Sequence, residues 1–149
     1  MKASVLKNLI KISNQPILLP FYHMVSDDKT FAKYLYSPRK IEVFKKDLEV
    51  LLKYYQPVSL KEFIKISQQK IKTTKPIFHL TFDDGLSNIF NIVAPILEEK
   101  KIPATFFVNS DFVDNNELFY RYQASLLIQF YEKSNKITHQ KFEQFFKKK

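Results

Sequence analysis

The sequence contains no cysteine, so disulfides and thiolate metal sites are excluded from the start. That absence agrees with a reducing compartment without requiring one. Glycine occurs once, at Gly85, which marks the place where the backbone can take a positive φ without steric cost. Arginine is nearly as scarce, with only Arg39 and Arg121 among 24 basic residues. The formal net charge of +9 is therefore almost all lysine, scattered at positions such as Lys33, Lys53, Lys65, Lys100 and Lys133. Arginine is the residue suited to bidentate phosphate and guanine contacts. The charge reads as a solvated basic surface, and no nucleic-acid partner is expected, although an acidic cell-surface polymer would suit it. No run approaches the ~18 apolar residues of a membrane span. Lys7 and Lys11 interrupt the first residues too early for a signal peptide, so a soluble, cytoplasmic protein without a membrane span is expected.

What is present is globular in character. The 149 residues include 15 Phe and 8 Tyr, enough apolar surface to bury in a single domain spanning 1–149. Val5, Leu6, Leu9 and Ile10 suggest a short amphipathic helix, followed by an apolar strand over Ile17–Tyr22 that Pro20 interrupts. Ile41, Phe44, Leu48, Leu51, Leu52 and Tyr55 follow helical spacing. Pro57–Val58 reads as a short strand, and Ser59 with Glu62 three residues on has the form of a capping box opening the next helix.

Pro76–Phe82 is the strongest strand pattern, and a helix marked by Leu86, Ile89, Phe90, Val93 and Leu97 follows, with Pro95 kinking or ending it. Pro103–Asn109 is the next strand, apolar enough over Thr105–Val108 to suggest that both its faces are covered. Leu118, Tyr122, Leu126 and Gln129-Phe130 suggest one further helix, and Phe142, Phe145 and Phe146 another. Strand alternating with helix predicts an α/β fold with parallel strands.

Asp83, Asp84 and Gly85 stand between the strongest strand and its helix. Asp-Gly is a hairpin signal, but the residues that follow have helical period, so this is a βα turn at the carboxyl end of a strand, where α/β folds place their sites. Asp84 or Ser87 as a helix N-cap would be compatible with that. Two adjacent carboxylates do not both ionise cheaply unless something offsets their charge. A divalent cation held by one, with the other free to take a proton from water, is the economical arrangement.

Thr81-Phe82-Asp83-Asp84-Gly85, with the apolar strand before it, Pro95-Ile96-Leu97 and Ile102-Pro103-Ala104-Thr105-Phe106-Phe107 after it, resembles the polysaccharide deacetylase family. Tyr22-His23 closing an early strand is also seen in many members, and the resemblance runs over roughly Leu18 to Asn109. It implies an incomplete (β/α) barrel, of which about four parallel strands are present. It further implies hydrolysis of acetyl groups on N-acetylglucosamine-containing polysaccharide, with Asp83 as general base, Asp84 as a metal ligand, and zinc as the usual metal.

The family completes its metal site with a His-Ser/Thr-x-x-His pair, and this sequence has only His23, His79 and His139. Glu143 stands four residues after His139, in what reads as a lysine-rich helix rather than a strand-end loop. His79 shares strand parity with Asp83 but reads as a hydrogen-bonded core residue; His23 suits either a site wall or a loop. The expectation is a chain that stops before its catalytic site is complete, with 117–149 a truncated helical insertion. Such a chain would be inactive alone and open to self-association through an exposed barrel edge. The alternative is an inactive carbohydrate-binding remnant of the same fold.

Overall fold

The computed structural model describes residues 17–28, 33–134 and 136–147. The expected helix over Val5–Ile10 lies outside them. Two compact units are formed, one by residues up to Asp27 together with Arg39–Asn109, the other by Asp28–Pro38 and Ser110–Lys149.

The first unit is a parallel sheet with helices packed on it. Its strands are β1 (Ile17–Leu18), β2 (Phe21–Tyr22), β3 (Gln56–Pro57), β4 (Ile77–Phe78), β5 (Leu80–Phe82) and β6 (Ala104–Phe106). Pairing runs β1-β4-β3 and β2-β5-β6, all parallel. Pro20 breaks the first strand into β1 and β2, as its missing N–H predicts. Pairing nevertheless continues across the break, because the N–H groups of His79, Thr81 and Asp83 donate to the carbonyls of Leu18, Pro20 and Tyr22. The segment 77–82 is therefore a central strand. Its opposite edge is shared: β3 pairs with β4 and β6 with β5.

Strand residues alternate between faces. Phe78, Leu80 and Phe82 point to one face and pack with Phe44 and Leu48 of α1 (Ile41–Tyr54) and with Val93, Leu97 and Ile102. Each such side chain contributes roughly 1.5–3 kcal/mol by leaving water. The rings of Tyr22, Phe82 and Phe106 form a stacked row across three adjacent strands, with centroids 5.6 and 5.4 Å apart. Ile77–Phe82 is buried throughout, whereas the expectation of two covered faces concerns the next strand. It fails there. Phe106, Phe107 and Val108 are all exposed.

α2 (Leu60–Gln69) opens on the expected capping box, Ser59 accepting from the Glu62 N–H and Glu62 accepting from the Ser59 N–H. Beyond Gly85 the chain enters a π-helical turn over Ile89–Val93 and then α3 (Ala94–Glu99). The Ala94 N–H donates to Ile89, a wider step than an α-helix takes. Pro95, which has no N–H to donate, thus follows a turn already rearranged, and the sequence-predicted kink takes this form.

Gly85 is not alone in the left-handed region. Lys70, Asp84, Lys101, Asp114 and Asn115 also have positive φ. After α3, Ile102 N–H donates to Leu97 and Lys101 N–H to Glu98, a Schellman closure with lysine where glycine is usual.

The second unit contains α4 (Tyr120–Lys133) and α5 (Lys136–Lys147). α4 buries only part of the face its spacing predicts. Tyr122, Ser125 and Gln129 are buried, while Leu126 and Phe130 are exposed. Hydrogen bonding decides this face: the Tyr122 and Tyr36 hydroxyls are 2.7 Å apart, and Ser125 Oγ accepts from the Tyr34 N–H. Among the described residues no helix is long and apolar enough to cross a membrane.

Candidate active site at the strand ends

Asp83 is the first residue beyond β5, and its N–H is held by the Tyr22 carbonyl. Asp84 and Gly85 follow with φ of 72° and 63°, so the chain reverses out of the sheet through two successive left-handed residues. A glycine suits the second of these for a further reason. A Cβ there would lie 3.1 Å from Cγ1 of Val108 on the neighbouring strand end.

The same register brings His23 beside Asp83. Phe21 is paired with Thr81 and Tyr22 with Phe82, so the next row is His23 and Asp83. His23 Nε2 lies 3.7 Å from Asp83 Oδ2, with both side chains more than a third exposed. The separation exceeds a direct hydrogen bond and suits a charge pair when the imidazole is protonated. Phe21 meets the His23 ring edge-on at 5.9 Å. On the far side, Asn88 donates to the Val25 carbonyl at 2.9 Å, tying the residues after His23 to the helix start after Gly85.

Under the site, Tyr22 donates to Asp47 at 3.2 Å, and Asp47 also takes a two-pronged bond from Arg39 at 2.6 and 2.7 Å. Burial, and then the negative charge and hydrogen bond of Asp47, push the Tyr22 hydroxyl well above its ordinary pKa. Tyr22 is therefore a neutral donor that anchors the strand end to α1. Beside this anchor an open groove of about 960 Å³ runs between residues 18–22 and α1. It lies along the strand edge and lacks both aspartates, so it is not where the carboxylate chemistry sits.

The remaining histidines are placed elsewhere. His79 is buried, with Nδ1 2.8 Å from the Val58 carbonyl and Nε2 2.8 Å from Thr105 Oγ1. A carbonyl only accepts, so Nδ1 carries the proton and Nε2 accepts from the threonine. Both nitrogens are occupied by structural partners. His139 stacks on Tyr131 at 4.0 Å and donates from Nε2 to the Tyr131 carbonyl. That nitrogen carries a proton and is not a metal ligand.

Zinc sites take three protein ligands or more. No group of three His, Cys, Asp or Glu side chains stands together among the described residues. The undescribed stretches contain none of these residue types. Asp84 is one donor, and the donors gathered among the described residues do not fit a resident zinc ion.

A family model for polysaccharide deacetylases matches residues 70–141, which include Asp83, Asp84 and β6. Residues 70–141 are similar to that family. Solved structures agree with this. A de-N-acetylase from Aggregatibacter actinomycetemcomitans is 27% identical with a TM-score of 0.55, over 69% of this chain and 42% of that one. IcaB from Ammonifex degensii is 24% identical with a TM-score of 0.56, over 65% and 40%. The Streptococcus pyogenes deacetylase PplD, solved with acetate, is 19% identical with a TM-score of 0.59, over 74% and 51%. The last two share the fold. The chain thus spans about half or less of the length of these deacetylase structures, and its open parallel sheet corresponds to part of their fold. A search of curated proteins gave no match.

Sequence reasoning placed the Asp83–Asp84 turn but left His23 undecided. The deciding information is the parallel register of two strands far apart in sequence, which no local pattern carries.

Proposed function

We propose that the chain takes part in hydrolysing the acetamide of N-acetylated amino sugars in a polysaccharide, with Asp83 as general base. The observation that carries this is His23 standing 3.7 Å from Asp83 at adjoining strand ends. Amide hydrolysis needs a group to accept a proton from water as it attacks the acetyl carbon. It also needs a group to protonate the nitrogen as the C–N bond breaks, releasing acetate and a free amine. Asp83 suits the first task. His23, alone among the described residues in pairing with it, suits the second. The family-model match over residues 70–141 and the similarity to a de-N-acetylase support the reaction class.

Asp84 is assigned as a ligand toward a divalent metal, zinc by family habit, that needs donors beyond those gathered here. Segment 117–149 is read as a helical insertion within one partial deacetylase domain.

A second reading has its own support. The shortage of donors favours a module that holds acetylated saccharide without turning it over. Acetate release from a chitin tetramer, with and without added zinc, tests both. If wild type releases acetate, Asp83→Asn lowers the rate by about 10²–10⁴-fold, the usual contribution of a positioned base. Equal rates in the two proteins would sink the assignment of Asp83. Binding without release at any zinc concentration selects the second reading.

A further inference from the structure

The register that brings His23 to Asp83 also sets two exposed phenylalanines around the carboxylate. Thr81 pairs with Thr105 and Phe82 with Phe106, and the Phe107 N–H donates to the Phe82 carbonyl. Phe107 is therefore the next residue across from Asp83, on the strand opposite His23. Alternation places Phe21, His23, Asp83 and Phe107 on one face of the sheet, and Tyr22, Phe82 and Phe106 on the other. The stacked rings of the second set confirm that the rows stay aligned across all three strands. Exposure differs residue by residue, and in the second set Phe106 is 42% exposed. Phe82 is almost inaccessible, whereas Phe21 is 67% and Phe107 56% exposed.

Exposed phenylalanine has a cost, and two on the active face flanking one carboxylate need a reason that single surface residues do not. Two strand spacings, roughly 10 Å, separate the strands that carry them. A pyranose ring fits such a gap. Its C–H faces are apolar and its rim is polar, which matches aromatic walls on either side of a carboxylate and an imidazole.

Resting on the proposed deacetylase reading, we infer that Phe21 and Phe107 are the saccharide-gripping residues of this site. They hold an acetylated hexosamine between the end of β2 and the end of β6, with its acetamide over Asp83. Phe21 serves a second purpose through its edge contact with His23, which limits the swing of that ring. Specificity then favours uncharged, N-acetylated rings, whose acetyl methyl adds to the apolar contact. Free amino sugars lack that methyl contact.

The test is binding of a chitin tetramer to the 149-residue chain, followed by titration calorimetry and by chemical shifts of the tetramer. Phe21→Ala and Phe107→Ala are each expected to weaken binding by roughly 2- to 10-fold, the range that ring contacts provide. Phe21→Tyr and Phe107→Tyr should retain wild-type affinity, because the ring face is kept. Asp83→Asn should still bind, which separates gripping from chemistry. Unfolding midpoints report on structure: both alanine variants should stay within the scatter of wild type, since exposed rings add little to the core. Wild-type binding with unchanged affinity in both alanine variants overturns this inference alone. Absence of any binding by wild type overturns the deacetylase reading and this inference with it.

Discussion

Replacing Gly85 with alanine isolates what the βα turn demands of its backbone. The residue sits at φ +63°, a conformation that costs an L-residue with a Cβ about 1–2 kcal/mol. The new Cβ would stand 3.1 Å from Val108 Cγ1 and 3.4 Å from Cγ2, so Val108 has to shift by a few tenths of an ångström. Val108 is 60% exposed, and its side chain gives way cheaply. Against these costs, alanine narrows the unfolded ensemble and recovers about 0.4–1 kcal/mol. The net expectation is a loss of about 1 kcal/mol, most of it from φ and little from contact. Urea denaturation followed by circular dichroism reads this directly. Two controls divide the causes. Gly85→Asn should lose less, since asparagine visits the left-handed region more readily although its Cβ makes the same contact. Adding Val108→Ala to Gly85→Ala should return only a few tenths of a kcal/mol. Full recovery in that double variant, or an alanine variant as stable as wild type, would refute the assignment of the cost to the backbone.

The remaining expectations come from the anchor under the site and from the helix ends. Tyr22 has its pKa raised by burial and by Asp47, so the stabilisation it gives is fully present below the ordinary tyrosine value near 10. It is lost as pH rises from there through the folded value, because the unfolded tyrosine ionises first. Tyr22→Phe should cost about 1 kcal/mol at neutral pH through the lost hydrogen bond. It should also flatten the fall in stability above pH ~10, measured as unfolding free energy against pH. An unchanged alkaline slope would show that Tyr22 does not carry it. Lys101→Gly should raise stability by roughly 0.5–1 kcal/mol, because lysine occupies the left-handed position of the Schellman closure after α3. A loss in the same denaturation assay would mean that the lysine side chain makes a contact worth more than the strain.

Much of the site and part of the fold could be read in the sequence, and the split has a physical cause. The Ser59–Glu62 capping box is a local hydrogen-bonding device, and it formed as its spacing predicts. The strand through Phe82, the turn at Asp83–Gly85 and the helix beyond it are also set by neighbouring residues. Face assignment is different, because it depends on what arrives from elsewhere. The apolar run at Phe106–Val108 looks like a doubly covered strand, yet all three residues are exposed. α4 turned its polar stripe inward because Tyr36 and Tyr34 supply partners for Tyr122 and Ser125. No periodicity in α4 encodes those partners. His23 belongs to the same class: its place beside Asp83 follows from a register between strands roughly sixty residues apart in sequence. With a single glycine available, helix ends fell on Lys70 and Lys101, so scarcity of glycine did not mean scarcity of left-handed backbone.

The shared edge of the central strand limits how this sheet can change. β3 holds the lower half of that edge and β6 the upper half, and His79 lies at the junction with one nitrogen on each side. Neither strand can lengthen toward the other without evicting its rival. A one-step slip of β6 along that edge would carry Phe107 away from Asp83. The imidazole stands as a spacer between the two strands, and the candidate site lies at the strand ends beyond it.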